Sequence, residues 1–445
     1  MTKKLLCVFF AISVVFSLFS VPVCAYEPSG FDINAKNALL VSLDTNEVLF
    51  SRKSDEKVFP ASITKIMTVT LFLESEKYNP ENKIAMTDEV LKLISGTGSS
   101  VSGLRSGEEI TELDLIYMVL MASYGDCAYL GAVYYGGSVD NFVNMMNEKA
   151  AQLGLSGTHY SNPVGLHDEQ NYTTADDTYK LASYALKNST FTEVCQSARH
   201  PMSATNMSPA RTLSTTNFLQ DTTTNYYYAY AKGVKTGYTD EAGRCLVSTA
   251  EYNGYRYMCI LFGCKPNAEV RYEFIDSKNL YRWAFNNFEF KRIADTDNPV
   301  CEVGVELSMA TDFTSLYVEK SFLSVLPKEA DESTITIKPN IPDGYKIDAP
   351  VKKGEVIGTA DIIYAEQVIG TVNLVSGENI QKSKLLSAWR SVKEVLSSVY
   401  MKLVYAAIAL VVIIFIIAVI KMNSGRSKKR KVKYIPYNKG DNNDV

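Results

Sequence analysis

Pro60-Ala-Ser-Ile-Thr-Lys-Ile-Met-Thr68 and Gly233-Val-Lys-Thr-Gly-Tyr-Thr-Asp240 are the two stretches on which the reading of this chain turns. Pro60 and Ala61 suit the start of a helix, which puts Ser62 in its first turn, where the local field favours negative charge. Lys65, three residues on, shares the helical face of Ser62. A serine that only caps a helix does not need that lysine, whereas a nucleophile working without histidine does. Lysine acts as a base when burial and a neighbouring cation lower its pKa, and Lys235 is the candidate cation.

Ser123-Tyr-Gly125 lies between these two stretches. Each of the three pieces is common by chance, so their order and local context carry the argument. Lys235-Thr236-Gly237 fits a strand at the edge of a cleft. There the lysine and the threonine hydroxyl can hold a carboxylate, and Gly237 lets a backbone approach closely. The plain alternative is an ordinary strand with one exposed lysine. Gly233 before it and the polar Thr239-Asp240 turn after it favour the cleft.

The two ends set the expected address. Residues 1–25 carry Lys3 and Lys4 ahead of the apolar run Leu5–Val21, with Val23-Cys24-Ala25 before a cut at Tyr26, the pattern of a secretory signal. Residues 403–420 are eighteen uncharged residues, about enough to cross a bilayer as a helix. The tail 421–445 follows with Lys421, Arg426, Lys428, Lys429, Arg430, Lys431 and Lys433. By the positive-inside rule the tail stays in the cytoplasm and the chain from residue 26 to about 402 lies outside, a single-pass membrane protein.

Charge sorts in the same way. The signal carries +2 and the tail has eight basic against two acidic groups, so the net −4 of the chain becomes −12 over residues 26–420. An acidic exported part argues against nucleic acid as a partner. Six cysteines remain after the signal (Cys127, Cys195, Cys245, Cys259, Cys264 and Cys301), without the paired spacing of a zinc site. Buried free thiols are expected for most of them. The scattered His159, His167 and His200 argue against a metal triad.

Two textures divide the exported part. Ala38–Leu43 and Glu47–Phe50 flank an Asp44-Thr-Asn turn and read as a hairpin. Ser62–Glu74, Leu113–Met121 and Asp140–Leu153 read as helices, the last stopped by Gly154. Gly233–Ala250 and Tyr255–Gly263 read as strands around an Asn253-Gly254 turn, and Arg271–Phe288 as a closing helix. Residues 300–380 change to short Val, Ile and Thr runs broken by Pro-Asp-Gly and Lys-Lys-Gly, an all-β module. Residues 382–402 carry apolar positions at helical spacing between lysines, an amphipathic stalk at the membrane surface.

The quoted stretches, with Met145-Met-Asn-Glu-Lys149, Asn162-Pro-Val-Gly-Leu166 and Thr174-Ala-Asp-Asp177, carry a family likeness. The chain resembles the low-molecular-weight penicillin-binding proteins, the D-alanyl-D-alanine carboxypeptidases of serine peptidase family S11. The resemblance implies an α+β fold of the β-lactamase/DD-peptidase type over residues 26–290, an antiparallel sheet flanked by helices plus a helical lobe. A small all-β domain over 300–380 and a C-terminal transmembrane helix complete it. It implies removal of the terminal D-alanine from peptidoglycan stem peptides through Ser62, with Lys65 as base and Ser123 as proton relay. The N–H groups of Ser62 and Tyr238 would form the oxyanion hole. Lys235, Thr236, Gly237 and Arg271 would hold the substrate, β-lactams such as penicillin would acylate the same serine, and no metal or organic cofactor would be needed.

Gly125 departs from the pattern, since the family has an asparagine there that bonds the substrate amide and helps place the lysine. Losing one such contact costs about 1–3 kcal/mol, and a water or the amide of a neighbouring side chain is left to substitute. Two other functions compete. A weakened or inactive member would bind D-Ala-D-Ala ends as a sensor or scaffold, and a β-lactamase would share the serine and lysine. The β module and membrane span speak against the second. Oligomeric state is not legible in the sequence.

Overall fold

The computed structural model describes residues 26–426, so the expected signal peptide (1–25) and the tail beyond Arg426 lie outside the described residues. Two compact units emerge. The first takes the described part of Met1–Asp295 with Lys320–Lys338 and Asp361–Val372; the second takes Thr296–Glu319, Pro339–Ala360 and the described part of Asn373–Val445.

The first unit is built on a five-stranded antiparallel sheet. Its strands run in the order Val48–Arg52, Asn37–Ser42, Tyr255–Cys264, Gly243–Tyr252 and Ala231–Thr239. The central strands are apolar on both faces because both are covered. Leu39, Val41, Val247 and Ile260 pack on one side with the helical lobe, including Ile66, Val69, Phe72 and Leu130. Ala38, Leu40, Leu246 and Leu261 pack on the other with Phe274, Leu280, Tyr281 and Trp283 of the helix Tyr272–Asn287. A strand buried on both faces loses the polar alternation of a one-sided sheet, which explains the unbroken run Ala38-Leu-Leu-Val.

Two expected elements take a different form. Ser62 lies in a 3-10 turn, Ala61–Thr64, ahead of the α-helix Lys65–Glu74 rather than inside that helix. The span Gly233–Ala250 is broken at Asp240–Ala242 into two paired strands, where Thr239 Oγ1 accepts the Ala242 N–H. Ala231–Thr239 is left as an edge of the sheet, beside the 3-10 turn that carries Ser62. All six cysteines of the described chain are free, five of them buried.

The second unit is β-structure followed by helices. Pro299–Glu306 pairs antiparallel with Phe313–Val318 and parallel with Lys346–Asp348, and Phe313–Val318 pairs with the end of Gln367–Ser376. The helix Lys384–Ser397 exposes Leu385, Trp389, Val392, Val395 and Leu396. The helix Val399–Arg426 follows, and Val399–Ser424 is long and apolar enough to cross a membrane.

Candidate active site

Lys65 is almost wholly buried, at 1% exposure, and its Nζ donates to Ser62 Oγ at 2.8 Å and to the Val164 carbonyl at 2.9 Å. The 3-10 turn makes this contact natural. Residues i and i+3 eclipse in such a turn, so Lys65 stands over Ser62. Burial brings the Lys65 ammonium down to about 7, with Asp126 and Cys127 working against it. Lys235, equally buried, is lowered by burial and by the charge of Lys65. A neutral amine next to a serine hydroxyl can therefore exist near neutral pH.

The Val164 carbonyl is presented by a loop that one side chain organises. Asn162 Oδ1 accepts from the N–H groups of Val164 at 3.2 Å, Gly165 at 2.8 Å and Leu166 at 3.0 Å. Thr68 Oγ1 donates to the Pro163 carbonyl at 2.6 Å, tying the loop to the serine-bearing helix. Gly165 has φ +84°, and a Cβ there would stand 1.8 Å from the Ala61 carbonyl oxygen. Only glycine meets both demands, so the Asn162-Pro-Val-Gly motif also forms the wall behind the Ser62 turn. The hydrogen bond that the Val164 carbonyl accepts from Lys65 has no signature in the sequence, because a backbone carbonyl is common to every residue.

Ser62 opens onto a cleft of about 820 Å³ that is also lined by Ser123, Thr216, Thr236, Gly237, Tyr238 and Arg271. Thr236 Oγ1 shares a 2.6 Å hydrogen bond with Thr216 Oγ1, a partner that no motif announced. The Lys235 Nζ donates to the Thr236 carbonyl at 3.0 Å. Gly237 passes so close to the serine turn that a Cβ on it would meet the Pro60 carbonyl at 3.1 Å and the Ser62 nitrogen at 3.2 Å. The half-exposed Tyr238 ring turns outward, its hydroxyl on Asp240 Oδ1 at 2.6 Å.

Ser123 holds φ +66°, a left-handed conformation that a serine adopts only under surrounding constraint. Among the described residues no hydrogen bond joins it to Ser62, Lys65 or Lys235. Arg271 reaches the cleft from the start of the helix Tyr272–Asn287, with its guanidinium 4.9 Å from the ring centres of both Phe218 and Phe274. Its Nε donates to Glu273 Oε1 at 2.6 Å, and the Tyr226 hydroxyl accepts its backbone N–H at 3.0 Å. Glu273, buried and acidic, orients this arginine; nothing in its sequence context marked it. Tyr226 and Tyr228 are packing residues, stacked on Phe218 and Tyr281.

The histidines are dispersed. His200 pairs with Asp114 at 2.7 Å and stacks on Tyr117, while His159 Nδ1 lies 2.6 Å from the Gln170 carbonyl. Among the described residues no group of three or more His, Cys, Asp or Glu side chains is placed to hold a metal.

The chain is similar to known proteins. Residues 23–265 match the family model of peptidase family S11, D-alanyl-D-alanine carboxypeptidase, and residues 288–382 match the C-terminal domain of penicillin-binding protein 5. The chain belongs to the S11 D-alanyl-D-alanine carboxypeptidase family. It is 29% identical over 359 residues to the D-alanyl-D-alanine carboxypeptidase DacF of Bacillus subtilis, covering 79% of this chain and 87% of that one. It is 29% identical over 378 residues to DacC of Escherichia coli, covering 79% and 85%. Penicillin-binding protein 5 of Haemophilus influenzae superposes with a TM-score of 0.64 over 80% of this chain and all of that one, at 23% identity, and so shares the fold.

Proposed function

We propose that this chain is a membrane-anchored serine D-Ala-D-Ala carboxypeptidase that trims peptidoglycan stem pentapeptides, with its catalytic domain over residues 26–290. The observation that carries this reading is the 2.8 Å contact between Lys65 Nζ and Ser62 Oγ, made by a lysine whose burial lowers its pKa to about 7.

In this reading neutral Lys65 accepts the Ser62 proton as Oγ attacks the carbonyl between two terminal D-alanines. The oxyanion is met by the N–H groups of Ser62 and Tyr238. The C–N bond then breaks, Ser123 passes a proton to the departing amine, and D-alanine leaves. Water attacks the Ser62 ester, returns the proton to Oγ and releases the shortened peptide. Lys235, Thr236 and Arg271 hold the terminal carboxylate, with the Arg271 guanidinium lining the cleft itself. The free edge of Ala231–Thr239 suits an extended peptide laid along it, with Gly237 leaving room for the substrate backbone. A β-lactam carries a carboxylate and a reactive carbonyl in a similar relation and would acylate Ser62.

The helix Val399–Arg426 supplies the anchor in this reading, with the basic tail cytoplasmic and residues 26–402 on the wall side. The test is D-alanine release from peptides ending in D-Ala-D-Ala by the full-length protein in detergent, against Ser62→Ala. Release that disappears in Ser62→Ala supports the carboxypeptidase. No release by folded wild-type protein, across several stem peptides, refutes it and leaves a peptide-binding sensor.

A further inference from the structure

The helix Gly125–Gly136 starts without a side chain at its first residue, yet the space beside Gly125 is occupied. A Cβ built on Gly125 would stand 2.3 Å from Ser99 Oγ, 3.2 Å from Ser99 Cβ and 3.1 Å from Ile94 Cδ1. Ser99 belongs to the segment 95–104, which is fastened to the start of this helix. The Gly125 N–H donates to the Ser100 carbonyl at 2.8 Å, and the Asp126 carboxylate accepts from Ser102 Nα–H at 3.0 Å and Ser102 Oγ at 2.5 Å. Thr97 Oγ1 pins the near end of the segment to the Ile94 carbonyl at 2.8 Å. Ser99 is thus held in place through its neighbours. It lines the same cleft as Ser62 and Ser123, and among the described residues its hydroxyl has no partner within the protein.

We propose that Ser99 is a substrate-binding residue of this site, its hydroxyl standing where a side chain at position 125 would stand and bonding a backbone amide of the bound peptide. The proposal rests on the acyl-transfer reading above. It replaces the expected water or neighbouring carboxamide with a hydroxyl, and it makes positions 99 and 125 mutually exclusive, because a side chain on either fills the same volume.

The test is a double-mutant cycle on the full-length protein in detergent, with an N-acylated tripeptide ending in D-Ala-D-Ala. Ser99→Ala should lower kcat/KM by about two- to tenfold, the worth of one neutral hydrogen bond, chiefly through KM and with thermal stability unchanged. Gly125→Asn alone should lose more, since the new side chain displaces the segment. Ser99→Gly with Gly125→Asn should recover to within about threefold of wild type, a strongly non-additive pair. Wild-type KM and kcat in Ser99→Ala, or additive effects of the two positions, would overturn the proposal. Failure of the reaction itself is separable. If the wild type releases no D-alanine, the acyl-transfer reading falls and the substrate role of Ser99 falls with it. Thermal unfolding still reads the exclusion, with Gly125→Asn destabilising the wild-type background but not Ser99→Gly; equal destabilisation in both backgrounds would refute that exclusion as well.

Discussion

Replacing Gly165 by alanine should slow acylation by displacing the backbone that carries Ser62. Two costs can be worked from the structure. Gly165 sits at φ +84°, where an L-residue costs about 1–2 kcal/mol. Its added Cβ would also lie 1.8 Å from the Ala61 oxygen, 2.3 Å from the Ala61 carbonyl carbon and 2.9 Å from the Ser62 nitrogen. Relieving that overlap moves backbone by roughly 1.5 Å, an over-packing cost of about 1–3 kcal/mol. The sum is a loss of about 2–5 kcal/mol in stability. The moved atoms belong to the peptide that carries Ser62, and misplacing a reacting group by about 1 Å can cost a hundredfold in rate. The matched control is Gly154→Ala, at φ +67° with nothing within 4 Å of a Cβ, which bears the first cost alone. The assay is the second-order rate of acylation by a fluorescent penicillin, with thermal unfolding alongside. Gly165→Ala should fall about a hundredfold or more, and Gly154→Ala should stay within about twofold of wild type. Acylation of Gly165→Ala within about threefold of wild type would refute the view that this loop sets the serine backbone.

Three further outcomes are expected. In the proposed mechanism Lys65, brought down to about 7 by burial, is the neutral base, so acylation should fall about tenfold per unit as pH drops below about 7 and level off above it. Asp126→Asn removes a charge that raises this pKa, so the inflection should move to lower pH; a stopped-flow pH profile reads both. Arg271→Ala should raise KM for D-Ala-D-Ala peptides by about 10- to 100-fold through loss of a charge-assisted bond, with Arg271→Lys rescuing only part. Truncation after residue 380 removes the helix Val399–Arg426 and should shift the protein from the membrane to the soluble fraction on centrifugation.

Much of this was legible because local chemistry and fold agree. The hairpin Asn37–Ser42 with Val48–Arg52, the Asn253-Gly254 turn and the helix Tyr272–Asn287 all follow from periodicity and turn residues. The helix Gly125–Gly136 was not legible, for a physical reason. It is buried on nearly all sides, and a Cβ on Gly131 would meet the Phe72 ring at 2.2 Å, so the helix shows no polar face and no 3.6-residue stripe. In the site, Ser62, Lys65 and the Lys235–Gly237 strand announce themselves because their spacing is local. Val164, Thr216, Glu273 and Ser99 do not, because they reach the cleft from distant segments through a carbonyl, a hydroxyl pair, a buried ion pair and a filled gap. Gly125 alone suggested a missing contact; only the placement of segment 95–104 shows what fills the space.

The central claim is that Ser62, activated by Lys65, forms an acyl-enzyme. Intact-mass measurement and peptide mapping after exposure to benzylpenicillin test it most directly. The account predicts a single adduct of the drug's mass on the peptide containing Ser62, absent in Ser62→Ala and formed far more slowly in Lys65→Ala at neutral pH. No adduct on folded wild-type protein, or one on any residue other than Ser62, would contradict it.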